Sequence, residues 1–292
     1  MAKISLFFKE AKPFAQLVGL FFLFIIGFII ATGIQMLVPI GDTTLPQLML
    51  TMQGVSQLFT FLLPALLFAV LYSGNVCGYY HFDMGVKKWV LGFVAIVIVL
   101  LLLPVVDYIS LWNESWDLGA MDGRMREMTE RSQQLIEQML STTGVWNLLL
   151  QLVVVALVPA VCEEMFFRGA LQQIMDKWFG NKHVAVIVAA IVFSLAHGDI
   201  YGLVPRFMLG VVLAYLFVRS GSILVNICAH FANNAVFVVL YYLYNVGELS
   251  VNPSEHILIP WGTALMCMVG SGLLFTVYFV GKRQKESEKA KQ

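Results

Sequence analysis

The sequence has 292 residues, of which 59% are hydrophobic and only 12% are charged. Soluble globular domains carry roughly a quarter of charged residues, so this composition excludes an ordinary soluble protein. The formal net charge is zero, which gives no electrostatic basis for a nucleic-acid partner. We therefore expect an all-α protein, a polytopic bundle of transmembrane helices.

Apolar runs long enough to cross a hydrocarbon core about 30 Å thick recur along the whole chain. They predict about eight spans, at 14–38, 55–73, 88–106, 146–166, 184–200, 203–218, 222–245 and 258–281. So many spans leave no room for a soluble domain, and 1–292 is expected to be a single membrane domain. Its predicted parts are the N-terminal spans 1–106, an outer-surface loop 107–145, a core 146–245, and the last span with a basic tail, 246–292.

The basic residues predict the orientation of the chain, because lysine and arginine in short loops are retained on the cytoplasmic side. With both termini cytoplasmic, eight spans place most of them inside: Lys3, Lys9, Lys12, Lys87, Lys88, Lys177, Lys182, Arg219, Lys282, Arg283, Lys285, Lys289 and Lys291. Those left outside are Arg124, Arg126, Arg131 and Arg206. The short loops are typical of a bacterial protein, so the expected location is the bacterial cytoplasmic (inner) membrane.

The loop 107–145 contains the stretch "DGRMREMTERSQQLIEQML", residues 122–140. Apolar residues recur in it at helical spacing with charges between them, which predicts an amphipathic helix at the outer surface. Two interpretations are open for this helix. It is either a lid that guides substrate or a surface helix that ties two spans together.

The stretch "PAVCEEMFFRGAL", residues 159–171, places charge inside a very apolar segment. An ionisable side chain at membrane depth costs at least ~2.5–3.5 kcal/mol, so it faces a partner or a cavity and indicates function. Glu164 and Arg168 are four residues apart and are predicted to pair on one helix face. Glu163 lies about 100° further around the helix, so it is expected to be left free of that arginine.

Two further polar motifs follow, "FSLAH" with Phe193 and His197, and "HFANN" with His230, Asn233 and Asn234. Each motif alone is more typical of a hydrogen-bonded core histidine or of an asparagine that links two helices. Together with Glu163 they indicate a site, whereas the spans of the first half show no comparable cluster. Counted from the cytoplasmic helix ends at 1.5 Å per residue, His230 lies about 12 Å deep and His197 about 20 Å. These depths permit a shared pocket that opens to the cytoplasm.

The three motifs resemble the signatures of the CPBP intramembrane proteases: "EEMFFR" as Glu-Glu-x-x-x-Arg, "FSLAH" as Phe-x-x-x-His and "HFANN" as His-x-x-x-Asn. That family comprises type II CaaX prenyl endopeptidases and bacteriocin-processing, Abi-type membrane proteins. The resemblance covers roughly residues 145–245 and makes 146–245 a catalytic core.

The resemblance implies a peptide hydrolase that works inside the membrane on a peptide or membrane-protein substrate. Glu163 would be the general base on a water held jointly with His197. His230 and Asn234 would donate hydrogen bonds to the oxyanion, with Asn234 preferred to Asn233 by spacing. The supporting residues would be Glu164 and Arg168, which balance charge, and Phe193, which walls the pocket.

Several alternatives stay open at this point. Glu163, His197 and His230 could hold a zinc ion, but no HExxH motif is present, and a mechanism that requires no cofactor is preferred. The chain could instead be a non-catalytic Abi-type immunity or scaffold protein. A proton-coupled transporter is the weaker alternative, because no matching polar motif occurs in the first half. Nothing in the sequence decides whether the substrate is prenylated.

Overall fold

The computed structural model describes residues 11–38, 45–256 and 259–289, with side chains up to residue 279. Within these ranges the chain forms helices and connections and no strand, so the predicted all-α class is confirmed. The helices are α1 Pro13–Leu37, α2 Pro46–Ser73, α3 Val76–Tyr80, α4 Val86–Glu114, α5 Asp122–Leu140, α6 Val145–Phe179, α7 Lys182–Leu195, α8 Leu203–Ser220, α9 Ile223–Asn245 and α10 Trp261–Lys289.

Among the described residues, seven helices are long and apolar enough to cross a membrane: α1, α2, α4, α6, α8, α9 and α10. The fifth predicted span, 184–200, is wrong at its end, because α7 has 14 residues and stops at Leu195. The chain leaves the helical path there, and Gly198 adopts a left-handed φ of 67°. At 1.5 Å per residue α7 is about 21 Å long, too short to cross about 30 Å of hydrocarbon.

The predicted orientation is not decided by the helices and stays a prediction. Lys3, Lys9 and Lys291 lie outside the described residues, and the side chains of the tail residues Lys282, Arg283, Lys285 and Lys289 are not described.

Helix α6 runs without a break from Val145 to Phe179, well past the predicted span 146–166, and ends at Gly180 with a left-handed φ of 61°. Two of its segments are π-helical, Leu152–Leu157 and Glu164–Gln172. Pro159 follows the first of them. Because proline has no N–H to donate, one hydrogen bond of the α-helical pattern is missing there, and the wider π-helical turn accommodates this. The second begins directly after Glu163, and π-helical turns recur at functional sites.

The outermost helices expose large apolar side chains, as expected of surfaces that face lipid. On α1, Phe22 and Ile29 are each 63% exposed, and on α10 Val277 is 71% exposed. The opposite pattern holds around the second π-helical segment, where every residue from 164 to 172 is buried. The centre of the bundle is therefore the charged motif itself, packed among aromatic side chains such as Phe167.

Helix α5 confirms the predicted amphipathic helix and is attached at both ends. At its start, Asp122 Oδ1 accepts from the Tyr201 hydroxyl at 2.5 Å, and two turns further the Thr129 hydroxyl donates to Asp199 Oδ1 at 2.9 Å. Near its end, Glu137 Oε1 accepts from the Ser254 hydroxyl at 2.6 Å. The helix thus joins the α7–α8 connection to the segment before α10. The predicted loop 107–145 begins later than expected, because α4 continues to Glu114.

Helices α1 and α2 cross at Gly27, where backbone meets backbone. A Cβ atom at Gly27 would lie 2.0 Å from the carbonyl oxygen of Phe59, which belongs to a π-helical segment, Leu58–Leu62. Gly33, six residues further along α1, has no neighbouring atom within 4 Å of the same position. Small residues at crossings of this kind let membrane helices approach closely.

We therefore expect Gly27→Ala to lower the thermal unfolding midpoint of the purified protein, by the equivalent of about 1–3 kcal/mol for an overpacked contact. Gly33→Ala is the matched control on the same helix. It should leave the midpoint unchanged or raise it, because alanine is the better helix former. Equal midpoints for both variants would contradict the close crossing.

His256 lies between two carboxylates of α4. Its Nδ1 contacts Asp107 Oδ1 at 2.6 Å, and its Nε2 contacts Glu114 Oε2 at 3.0 Å. Burial alone would lower the pKa of His256, but the hydrogen bonds to Asp107 and Glu114 outweigh it and raise the pKa above the ordinary 6.5. The imidazolium form therefore fastens the segment before α10 to α4.

Because the pKa of His256 is raised in the folded protein, its stabilisation is fully present below about pH 6.5 and is lost as the pH rises through the folded value. We expect His256→Gln to lower the unfolding midpoint clearly at about pH 5.5 and much less at about pH 9. His183→Gln is the control, since His183 contacts the neutral hydroxyl of Tyr215. A His256→Gln penalty that does not change with pH would disprove the double ion pair.

Candidate active site

The centre of the site is an ion pair buried inside the bundle. Arg168 Nη1 donates to Glu164 Oε1 at 2.8 Å, and the two side chains are 1% and 0% exposed. The predicted pairing of these residues is therefore confirmed. Arg168 also donates from Nη2 to the carbonyl oxygen of Gly210 on α8 at 3.1 Å, and it lies 4.6 Å from the ring centre of Phe193. One arginine thus joins α6, α7 and α8.

Asn226 completes the surroundings of Glu164 and was missed in the sequence. Its Nδ2 donates to Glu164 Oε2 at 3.1 Å and to the carbonyl oxygen of Leu213 at 2.6 Å. The signal was present, because Asn226 precedes His230 by four residues and so lies on the same face of α9. Both oxygens of Glu164 are consequently occupied.

His230 contacts both glutamates. Its Nδ1 lies 2.9 Å from Glu164 Oε1, and its Nε2 lies 3.9 Å from Glu163 Oε2. A carboxylate only accepts hydrogen bonds, so Nδ1 carries a proton. The separation of 3.9 Å is too long for a direct hydrogen bond.

Glu163 is buried, with 5% of its surface exposed, and does not share the arginine. Its Oε1 accepts a hydrogen bond from Nε2 of Gln57 at 3.2 Å. Gln57 belongs to α2, so the first half, which has no polar cluster of its own, contributes one side chain to this cluster. The missed signal was a glutamine inside a predicted apolar span.

His197 is not on a helix, because α7 ends before it. Its Nδ1 lies 2.8 Å from the carbonyl oxygen of Phe193, which fixes the proton on Nδ1 and leaves Nε2 as an acceptor. The side chain is exposed. Its segment is held by α5 through Asp199 and Thr129. His197 thus reaches the surface of the bundle beside α5. The predicted opening of the pocket to the cytoplasm depends on the orientation and stays a prediction.

Phe193 stands between the two imidazole rings, edge-on to each. Ring centres are 4.9 Å apart for Phe193 and His197, and 6.1 Å apart for Phe193 and His230. It therefore forms a wall shared by both histidines. Glu163 is close enough to interact electrostatically with His197.

Asn234 follows His230 by one turn of α9 and is half-buried. Its Oδ1 accepts from Nδ2 of Asn233 at 3.2 Å. No acceptor for Nδ2 of Asn234 occurs in the part of the chain that the structure describes, so that donor is available to a ligand. Asn233 thus orients the side chain of Asn234, and Asn234 can donate a hydrogen bond to a ligand.

A zinc ion is the cofactor that Glu163, His197 and His230 could have held. Within residues 11–38, 45–256 and 259–289, no three His, Cys, Asp or Glu side chains form a group that could hold a metal ion. His230 contacts Glu164 through one nitrogen, and the other is 3.9 Å from Glu163. As arranged, these residues do not fit a zinc site.

Comparison with known proteins agrees with the motifs. Residues 145–236 match the model of the family described as "Type II CAAX prenyl endopeptidase Rce1-like". The matched segment runs from the start of α6 into α9 and contains all three motifs. No curated protein and no solved structure matches the chain. The match confirms the resemblance to the CPBP intramembrane proteases, and with the apolar helices it makes the chain an integral, multi-pass membrane protein.

The buried ion pair predicts a specific pattern of folding defects. We expect Arg168→Gln to destabilise the protein by about 3–5 kcal/mol, because it leaves Glu164 charged and uncompensated. The double variant Arg168→Gln with Glu164→Gln removes both charges and should recover part of the loss. Unfolding midpoints and monodisperse yield measure the cycle. Simple addition of the two single losses would contradict direct pairing.

Proposed function

We propose that this chain is an intramembrane endopeptidase that hydrolyses a peptide bond of a membrane-associated or lipidated protein or peptide. The observation that carries the proposal is the different state of two adjacent carboxylates. Glu164 is neutralised by Arg168 and hydrogen-bonded on both oxygens. Glu163 is equally buried but has no arginine, and its Oε2 lies 3.9 Å from Nε2 of His230, so that one water placed beside the two atoms can contact both.

Glu163 is the general base in this proposal. It takes a proton from water while the water oxygen attacks the carbonyl carbon of the scissile bond. The carbonyl π electrons move to oxygen and form an oxyanion. When the tetrahedral intermediate collapses, the C–N bond breaks and the leaving nitrogen takes the proton from Glu163. The products are a carboxylic acid and an amine, which exchange a proton to give the carboxylate and the ammonium ion, and Glu163 is regenerated.

The remaining residues hold the reacting atoms. Nε2 of His197 accepts the second hydrogen of the water, because its Nδ1 is engaged by Phe193. The proposal assigns Nε2–H of His230 and Nδ2 of Asn234 as the donors to the oxyanion, a contribution of about 2.7–4 kcal/mol per donor. The proposal assigns Phe193 to the wall that fixes both rings, and Glu164 with Arg168 to the charge balance that supports His230.

No step of this mechanism uses a metal, and no cofactor is part of the proposal. Zinc held by Glu163, His197 and His230 is the alternative that the chelation experiment addresses. The proposed partners are a peptide or membrane-protein substrate and the lipid bilayer, with no nucleic acid. The proposed location is the bacterial cytoplasmic membrane, as the short loops suggest.

The experiment compares purified wild-type protein with Glu163→Gln in detergent, using a library of fluorogenic peptides. We expect cleavage by the wild type and at least a 100-fold lower rate for the variant, because a general base contributes about 100- to 10,000-fold. His197→Ala and Asn234→Ala should also lower the rate. Unfolding midpoints of all proteins are measured in parallel, so that loss of folding is distinguished from loss of chemistry.

Treatment with a strong chelator separates the two mechanisms. Cleavage that survives chelation supports the glutamate mechanism, and cleavage that is lost and then restored by zinc contradicts it. N-terminal proteomics of membranes that contain wild type or Glu163→Gln extends the test to native substrates. No cleavage in either assay by a folded wild type would contradict the protease and favour the non-catalytic scaffold.

A further inference from the structure

Gln57 contacts the candidate site from a helix that no motif includes. It lies on α2, far outside the matched segment 145–236, yet its Nε2 donates to Glu163 Oε1 at 3.2 Å. It is also the last residue before the π-helical segment Leu58–Leu62. Local widening of this kind is common where a helix presents a functional side chain.

Packing alone does not explain an amide side chain at position 57. Its Oε1 is buried and has no hydrogen-bond partner among the described residues. A buried acceptor left unpaired costs about 1–3 kcal/mol, whereas a leucine or methionine at this position would carry no such cost. Other buried glutamines, such as Gln151 and Gln172, also leave an oxygen unpaired. Gln57 differs from them because its nitrogen is committed to a carboxylate of the site.

The hydrogen bond makes the two oxygens of Glu163 different. Oε1 faces the Gln57 amide, and Oε2 faces His230 at 3.9 Å. A glutamate carboxylate rotates readily about its last bond, because that torsion is broad. A single donor on Oε1 opposes this rotation and keeps Oε2 directed at the gap beside His230.

We propose that Gln57 is a positioning residue for the general base. It holds Glu163 through Oε1, so that Oε2 is the oxygen that takes the proton of the attacking water. This inference rests on the proposed function of Glu163. It adds α2 to the catalytic machinery and assigns a residue of the first half to it. Gln57 acts through Glu163 and is not assigned any contact with the substrate.

The first test is Gln57→Met, which keeps the length and volume of the side chain but cannot donate. We expect kcat to fall about 10- to 100-fold, as for misplacement of a reacting group by about 1 Å, with KM changed less than about two-fold. Gln151→Met is the matched control. Gln151 is a buried glutamine of α6 whose Nε2 donates to Thr142, and its replacement should leave kcat unchanged.

The second test is Gln57→Glu, which introduces a carboxyl group of nearly the same shape. When ionised it repels Glu163 and cannot donate, and when protonated it can donate an O–H. We therefore expect the activity of Gln57→Glu relative to Gln57→Met to rise as the pH falls. A role in packing alone would give a ratio that does not change with pH.

The outcomes separate this inference from the proposed function. An active wild type with an unchanged kcat for folded Gln57→Met overturns the role of Gln57 and leaves the protease intact. If Gln57→Met does not fold, the pH dependence of Gln57→Glu against wild type decides, and a parallel profile overturns the role. A folded wild type that cleaves no peptide overturns the proposed function itself.

Discussion

The structure depends on the ion pair between Glu164 and Arg168, buried at the centre of the bundle. In an apolar interior neither charge can be left alone, because breaking such a pair costs several kcal/mol. Both charges have further hydrogen-bond partners on other helices. Arg168 contacts the Gly210 carbonyl on α8, and Glu164 contacts Asn226 and His230 on α9. The pair thus sets how α6, α8 and α9 pack against one another, and it fixes the imidazole of His230.

Arg168 neutralises Glu164 and leaves the neighbouring carboxylate, Glu163, without a cationic partner. Glu163 is one residue away but points elsewhere, and its contacts are a neutral amide and an imidazole at 3.9 Å. The same helix therefore supplies a structural glutamate and a proposed catalytic one, separated by about 100° of rotation. The hydrogen bond of Asp199 to α5 connects the His197 segment to the surface. This contact leaves both interpretations of α5, lid or tie, compatible with the fold.

Most of the membrane spans could be predicted, because the hydropathy of a span is the sum of the contributions of its own residues. The pair of Glu164 and Arg168 could be predicted for the same reason, since four residues along one helix are neighbours. The end of α7 was missed, although Gly198 and Asp199, which follow His197, are residue types that favour a turn. Gln57 and Asn226 were missed because their roles depend on which helices are adjacent, a tertiary property that spacing within one helix does not contain.

The central claim is that two adjacent glutamates do different work, and one comparison tests it most directly. Glu163→Gln and Glu164→Gln are purified side by side, and each is measured for its unfolding midpoint and its rate of peptide cleavage. The account predicts that Glu163→Gln keeps a midpoint close to wild type and loses cleavage, whereas Glu164→Gln unfolds at a clearly lower temperature because Arg168 is left unpaired. A stable, inactive Glu164→Gln beside an active Glu163→Gln would reverse the assignment and contradict it.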